Sequence, residues 1–221
     1  MNFIISGLII FVIFLSRGIA YSENLSLEQL VSKIQKSYEA VNDLTATFEQ
    51  ETVIQDFKTS IKSQGNFLLK KKDKMRLSYL KPKKEEILIN GTTMITYLPD
   101  EHQAVQGLFS KTQESKLPLR LLSGEAILKN EFDIRLDSDQ SPNVYRLLLK
   151  PFEKDPNLEK ILIEIDPVTF LIKNLWIYQS NENYSSFRFS HIQLNTGIKE
   201  TLFKFTPPEG TDVIKPFGST K

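Results

Sequence analysis

After residue 25 the chain changes its hydrophobic period once and then keeps the new one. Leu27, Leu30, Val31, Ile34, Tyr38 and Val41 recur at spacings of three and four, the stripe of an amphipathic helix over residues 26–44. Ser26, with Gln29 three residues on, supplies a capping box at its start. From Leu44 the period becomes two: Leu44, Ala46 and Phe48 alternate with Thr45, Thr47 and Glu49, and the run continues to about Ile54. Strand-like runs follow at 61–70, 75–80, 85–90, 93–98, 102–108, 144–151, 159–166, 170–179, 184–194 and 202–206. Asn90-Gly91, between EEILI and TTMITY, predicts a hairpin with both residues at the centre of a type I′ turn. Hairpin spacing without helix–strand alternation predicts one large antiparallel sheet curled toward a barrel.

One stretch breaks the pattern: QESKLPLRLLSGEAILKNEF, residues 113–132. Pro118 suits a first helical turn, Leu117, Leu121 and Leu122 share a side, and Gly124 can end the helix. A short apolar helix inserted within a sheet protein is a lid over the sheet's open face or plain core cover. The strands also carry surplus apolar surface. Phe67-Leu68-Leu69, Leu147-Leu148-Leu149, Ile161-Leu162-Ile163 and Phe170-Leu171-Ile172 put bulky residues on both faces, where a sheet with one wetted face would alternate. Two readings stay open, a packed core and a concave site for a hydrophobic ligand.

The chain begins MNFIISGLIIFVIFLSRGIA, an apolar run too short for a typical bilayer span, followed by small residues. Residues 1–20 read as a secretory signal peptide and residues 21–221 as one domain; an uncleaved anchor is the alternative. With no Cys among 221 residues, disulfides, thiol nucleophiles and thiolate metal sites are excluded, and an exported chain without disulfides fits a bacterial envelope compartment. A net charge of +1 argues against a nucleic-acid binder. His102 falls in a polar turn, and His191 alternates with Phe187 and Phe189 in a strand. Zinc-ligand spacing, a G-x-S-x-G elbow and a phosphate-cradling glycine loop are missing, so neither an enzyme, a metal site nor a cofactor is expected.

Eight Lys and Arg crowd the stretch from Lys70 to Lys84. Parity puts Phe67, Leu69, Met75, Leu77 and Tyr79 on the inner face. Lys70, Lys72, Lys74 and Arg76 fall on the other parity, which reads as a solvated outer face. Lys81, Lys83 and Lys84 lie near the rim, placed to meet an acidic partner or anionic headgroups.

Several short motifs occur in a fixed order: Phe48-Glu49-Gln50, Gly65-Asn66-Phe67, Met75-Arg76-Leu77-Ser78-Tyr79 with Pro82, Ile89-Asn90-Gly91, Tyr97-Leu98-Pro99 with Gln103, the Leu117-Pro118 helix, and Phe203-Lys204-Phe205-Thr206-Pro207-Pro208-Glu209-Gly210 with Val213. In this order they resemble the LolA family of periplasmic outer-membrane lipoprotein carriers, over essentially the whole mature chain. The resemblance implies a mainly β fold with some α, an unclosed antiparallel β-barrel with a helical lid over an apolar cavity. It implies a monomeric carrier in the periplasm. Such a carrier takes lipoprotein acyl chains from an inner-membrane ABC exporter and delivers them to an outer-membrane acceptor. The cavity residues so expected are Phe48, Phe67, Leu69, Met75, Leu77, Tyr79, Leu121 and Leu122. Lys71 stands where the family carries an arginine that clasps the lid, keeping the charge but losing the planar donor fork. A regulatory sensor on the same fold, or a carrier of another lipid, are the competing functions.

Overall fold

The computed structural model describes residues 25–109, 117–139 and 143–215; the expected signal peptide lies outside them. Helix α1 (Leu27–Glu39) starts on the capping box expected of it. The Ser26 hydroxyl accepts from the Gln29 amide at 3.2 Å, and the Gln29 side chain accepts from the Ser26 amide at 2.9 Å. The helix buries Leu30, Val31, Ile34 and Tyr38. It stops short of the expected residue 44, because β1 already begins at Asp43.

Twelve strands form a single sheet: β1 (Asp43–Ile54), β2 (Thr59–Lys70), β3 (Lys74–Lys81), β4 (Glu85–Asn90), β5 (Thr93–Leu98), β6 (Gln103–Leu108), β7 (Phe132–Leu136), β8 (Tyr145–Pro151), β9 (Lys160–Ile165), β10 (Ile172–Tyr178), β11 (Tyr184–Leu194) and β12 (Asp212–Ile214). Their order is β12-β6-β5-β4-β3-β2-β1-β11-β10-β9-β8-β7. All pairings are antiparallel except the short parallel contact of β12 with β6. The long strands β1 and β11 join the two halves, while β12 and β7 do not meet, so the barrel stays open. Helices α2 (Leu117–Ser123) and α3 (Leu128–Glu131) interrupt the strands between β6 and β7. Together with α1 they share one buried cluster with the sheet's inner face, from Leu30 and Ile34 through Phe48, Phe67 and Leu69 to Leu149, Ile161 and Ile163. Each fully buried Leu or Phe of that cluster contributes roughly 1.5–3 kcal/mol.

Two local expectations are corrected. The β4–β5 turn is centred on Gly91-Thr92, since Asn90 pairs directly with Thr93. Of those two residues only Gly91 has positive φ, at 60°, the pattern that puts glycine first in a type II′ turn. The strand expected at 202–206 is a 3-10 turn, Glu200–Phe203, followed by extended chain. Its Phe-x-Phe alternation serves two separate contacts: Phe203 is buried, and Phe205 packs on Tyr97 at a ring separation of 5.2 Å. Strands β7 and β12 carry no expectation from the sequence; β12 has only three residues, and β7 is the sheet's edge.

The basic stretch is corrected as well at Lys70, Lys74 and Arg76, while Lys72 is exposed as expected. The chain after β11 runs across the outer face, where the 3-10 turn lies on β3 and β4. Lys70 donates to the Ile198 carbonyl at 2.6 Å, Lys74 pairs with Glu200 at 3.1 Å, and Arg76 bridges the Leu202 carbonyl at 3.0 Å and Glu86 at 2.7 Å. These side chains are between 16% and 26% exposed, so they are joints and not a solvated face. The physical reason is Leu88, an outer-face residue only 2% exposed, which needs cover from the segment they hold.

The start of that segment is tied to β1 by one carboxylate. Asp43, 4% exposed, accepts from the Thr196 amide (2.7 Å) and hydroxyl (3.1 Å), the Gly197 amide (3.1 Å) and the Ile198 amide (3.3 Å). Burial alone would raise its pKa, but these four donors outweigh that and hold it below the ordinary carboxylate value. Asn195 closes the joint, accepting from the Asn42 amide at 2.7 Å and donating to the Ala40 carbonyl at 3.1 Å. Because the folded-state pKa is depressed, the stability Asp43 contributes is present above its ordinary pKa and is lost as pH falls through the lowered value. Asp43→Ala should therefore lower unfolding free energy in urea by about 1–3 kcal/mol at neutral pH. The difference from wild type should shrink in acid.

Candidate functional site

On the inner face, parity works as expected along β2 and β3 and extends to β4, β10 and β11. Phe67, Met75, Leu77, Tyr79, Ile87, Ile89, Leu175, Ile177, Phe187 and Phe189 surround an apolar cavity of about 220 Å³. Pro118, Leu119 and Leu122 of α2 line it too, as does Phe109 at the end of β6. Gln50, Asn157, Gln179 and Ser185 also line it. Gln179 and Ser185 flank the β10–β11 turn, so this polar lining marks the end of the cavity nearest that turn and the β1–β2 hairpin.

Of the residues expected at the site, Phe67, Met75, Leu77, Tyr79 and Leu122 line this cavity. Phe48, Leu69 and Leu121 instead sit in the packed layer beside it, at 1%, 1% and 3% exposure. Phe48 props the wall, meeting Tyr79 edge-on at 5.1 Å and Phe187 at 6.0 Å. Phe67, Phe187 and Phe189 continue the aromatic cluster. Phe187, Phe189, Leu175 and Ile177 were not singled out from sequence, although the same parity along 170–179 and 184–194 points to them.

A polar chain crosses the inner wall. The Tyr79 hydroxyl donates to Gln50 Oε1 at 2.7 Å, Gln50 Nε2 donates to the Thr52 hydroxyl at 3.0 Å, and Thr52 and Ser185 share a hydrogen bond of 3.0 Å. The site thus has an apolar interior and a band of hydrogen-bonding groups at one end. Among the described residues no group of three His, Asp or Glu is placed to hold a metal ion. His191 bonds Thr47 at 3.0 Å in the β1–β11 register shift, the contact of an ordinary sheet histidine.

Helix α2 is held as a lid at the glycine expected to end it and by partners that the sequence does not single out. It ends in a Schellman motif: Gly124, at φ 72°, donates to Leu121 O, and Glu125 donates to Arg120 O. A side chain at Gly124 would also strike Tyr38, whose Cβ lies 2.7 Å from the position a Cβ would take. Tyr38 is fixed in turn, its hydroxyl accepting from the Ile172 amide at 3.1 Å. Arg120 makes a two-pronged bridge to Glu131 of α3, at 2.6 and 2.8 Å, and Glu131 also caps the Ile127 amide at 2.8 Å. Just past the helix, Glu125 is held above the ordinary carboxylate value, first by burial and then by the neighbouring Asp73 of the β2–β3 turn. Lys71, expected to clasp the lid, donates to the Glu39 carbonyl at the end of α1. That bond complements the negative end of the helix and staples β2 to α1.

The result is an incompletely closed antiparallel sheet, hollow on its apolar inner face and roofed by a helix. The chain belongs to the LolA family, "Outer membrane lipoprotein carrier protein LolA", whose family model matches residues 39–206. It is 29% identical over 222 residues to an outer-membrane lipoprotein carrier protein of Coxiella burnetii, covering 96% of this chain and 97% of the relative. It is 28% identical over 194 residues to a protein of the same description from Francisella tularensis subsp. novicida, covering 88% and 92%. Among solved structures, an uncharacterized conserved protein from Thermus thermophilus shares the fold at a TM-score of 0.54 and 11% identity, over 86% of this chain and 99% of that one.

The lid bridge predicts a separable effect. Arg120 is 42% exposed, so Arg120→Gln should change global stability by less than about 1 kcal/mol. It should, however, speed amide exchange throughout α2, measured by mass spectrometry, while α1 and β1 keep their wild-type protection.

Proposed function

We propose that this protein carries lipoproteins through the periplasm by burying their acyl chains in the cavity beneath α2. The observation that carries this reading is the combination of an apolar cavity of about 220 Å³ with hydrogen-bonding groups at one end. Each methylene removed from water is worth about 0.8 kcal/mol, so a free acylated protein would stay in a membrane and not cross an aqueous space. The carrier must shield the chains and still surrender them. Family membership supports this role, as do relatives described as outer-membrane lipoprotein carriers.

The cavity is smaller than the range of about 300–1,000 Å³ usual for pockets holding drug-sized ligands. Several acyl chains therefore require α2 to swing away from Phe67, Phe187 and Phe189. Met75 and Met94 supply side chains that adapt to irregular shapes, Met75 on the cavity and Met94 packed against the surrounding core. In this reading an inner-membrane ABC exporter loads the open state, and an outer-membrane acceptor of higher affinity unloads it. The ester and amide groups joining the chains to the cargo lie at the Tyr79–Gln50–Thr52–Ser185 chain, where hydrogen bonds await them.

Leu122 reports on the cavity directly, because it lies on the lid and is only half-buried. Leu122→Glu should keep the wild-type near-ultraviolet circular dichroism. Its retention of a synthetic triacylated lipopeptide on gel filtration should fall at least about tenfold, since a carboxylate would have to enter the apolar space. Wild-type retention by the folded variant would place the acyl chains elsewhere.

A further inference from the structure

The β1–β2 hairpin outruns its neighbour. β1 and β2 stay paired out to Ile54↔Thr59, and β11 follows β1 as far as Val53↔Tyr184. β3 leaves β2 at Gln64↔Lys81, after a register shift between Gln64 and Gly65. Thr59 to Ser63 therefore pair with β1 on one side, while no strand among the described residues pairs with them on the other. The free stretch is well exposed, with Ile61 at 49%, and Phe57 in the adjoining turn is 78% exposed.

A bare edge of this length is one that proteins usually blunt with lysine, proline, a bulge or inward charges, of which 59–63 has one lysine. Here residues 59–63 read Thr-Ser-Ile-Lys-Ser, with Lys62 as their single charge. The edge also adjoins the cavity. Ser63 pairs with Gln50, which belongs to the polar chain at the cavity's end, and Ile61 and Ser63 share the inward parity of Phe67.

We propose that the edge Thr59–Ser63 binds, as an added β-strand, the polypeptide that directly follows the acylated residue of the cargo. This rests on the carrier reading above. Acyl chains held in the cavity anchor the acylated residue at its polar end, so the attached chain leaves beside Ser63. At about 3.3 Å per residue, its first five or six residues span the free edge. Main-chain pairing does not read side chains, which lets one carrier grip the leading segments of cargo proteins that differ in sequence. Lys58, Lys62 and Lys81 are all exposed around this edge and favour leading segments that are neutral or acidic.

The test compares two probes on the full protein by residue-resolved amide exchange: a triacylated cysteine bearing an uncharged ten-residue tail, and the same triacylated cysteine as its methyl ester. Both should protect α2. Only the tailed probe should slow exchange of the outward amides in 59–63, by about tenfold or more. Because the chain has no cysteine, Ile61→Cys can also be crosslinked to a cysteine placed fourth in the tail; Val168→Cys, in the β9–β10 turn, should not crosslink. Tailed probe that loads without protecting 59–63 and without crosslinking overturns the proposal, as does equal protection by the tailless probe. Protection that appears without ligand as protein concentration rises also overturns it, in favour of edge pairing between two copies. If neither probe protects α2, the carrier reading itself fails.

Discussion

A cavity lined by phenylalanine, leucine and methionine is costly to keep in a protein interior, since unfilled apolar space forfeits contacts that packing would supply. Everything else in this fold answers that constraint. The inner face of β2, β3, β10 and β11 is left partly hollow, so the sheet's order is secured outside the hollow. The joints are the Asp43 carboxylate, the α1–β2 staple through Lys71, and the C-terminal segment held on the outer face by Lys70, Lys74 and Arg76. Cohesion is placed away from the hollow.

The roof follows the same logic. Helix α2 has only seven residues, too few to be stable alone, and it contributes Leu119 and Leu121 to the core while Pro118, Leu119 and Leu122 face the hollow. Two of its contacts reach beyond the sheet: Arg120 at its middle grips Glu131, and the Schellman turn at Gly124 packs against Tyr38. Among the described pairings no strand hydrogen bond runs through α2, so the order of the sheet does not depend on the roof.

What the sequence revealed was whatever is periodic or local. The alternation through Phe67, Leu69, Met75, Leu77 and Tyr79 correctly assigned an inward face, the capping box at Ser26 is as read, and Gly124 ends the lid helix. The misses share a cause: they are partnerships between distant segments. Nothing around Lys71 says that its nearest acceptor is the Glu39 carbonyl, thirty-two positions back. The pattern at 202–206 reads as a strand, but Pro207-Pro208 removes two backbone donors, and the outer face of β3 and β4 offers burial for Phe203 without any edge to pair. Arg120 is not legible because its value lies in a carboxylate eleven residues on, beyond the helix end at Gly124, in a second short helix that the pattern at 113–132 does not separate.

The surplus apolar residues also turn out to have two explanations. Leu149, Ile161 and Ile163 face inward and are fully buried in ordinary core, whereas Leu162, on the opposite parity, is 8% exposed beside its cross-strand partners Leu148 and Trp176. Apolarity on both faces therefore does not by itself signal a ligand site. The stronger signal is chemical unevenness along one face: aromatic and methionine side chains deep inside, giving way to Gln50, Thr52 and Ser185 at the end shared with the long hairpin. The polar groups at that end satisfy one another, Tyr79 to Gln50 to Thr52 to Ser185, so the change from apolar to polar leaves none of these links unmade. Such a gradient matches an amphiphile, whose chains are apolar and whose linkage is polar, which is why the proposed carrier reading uses both ends of the cavity.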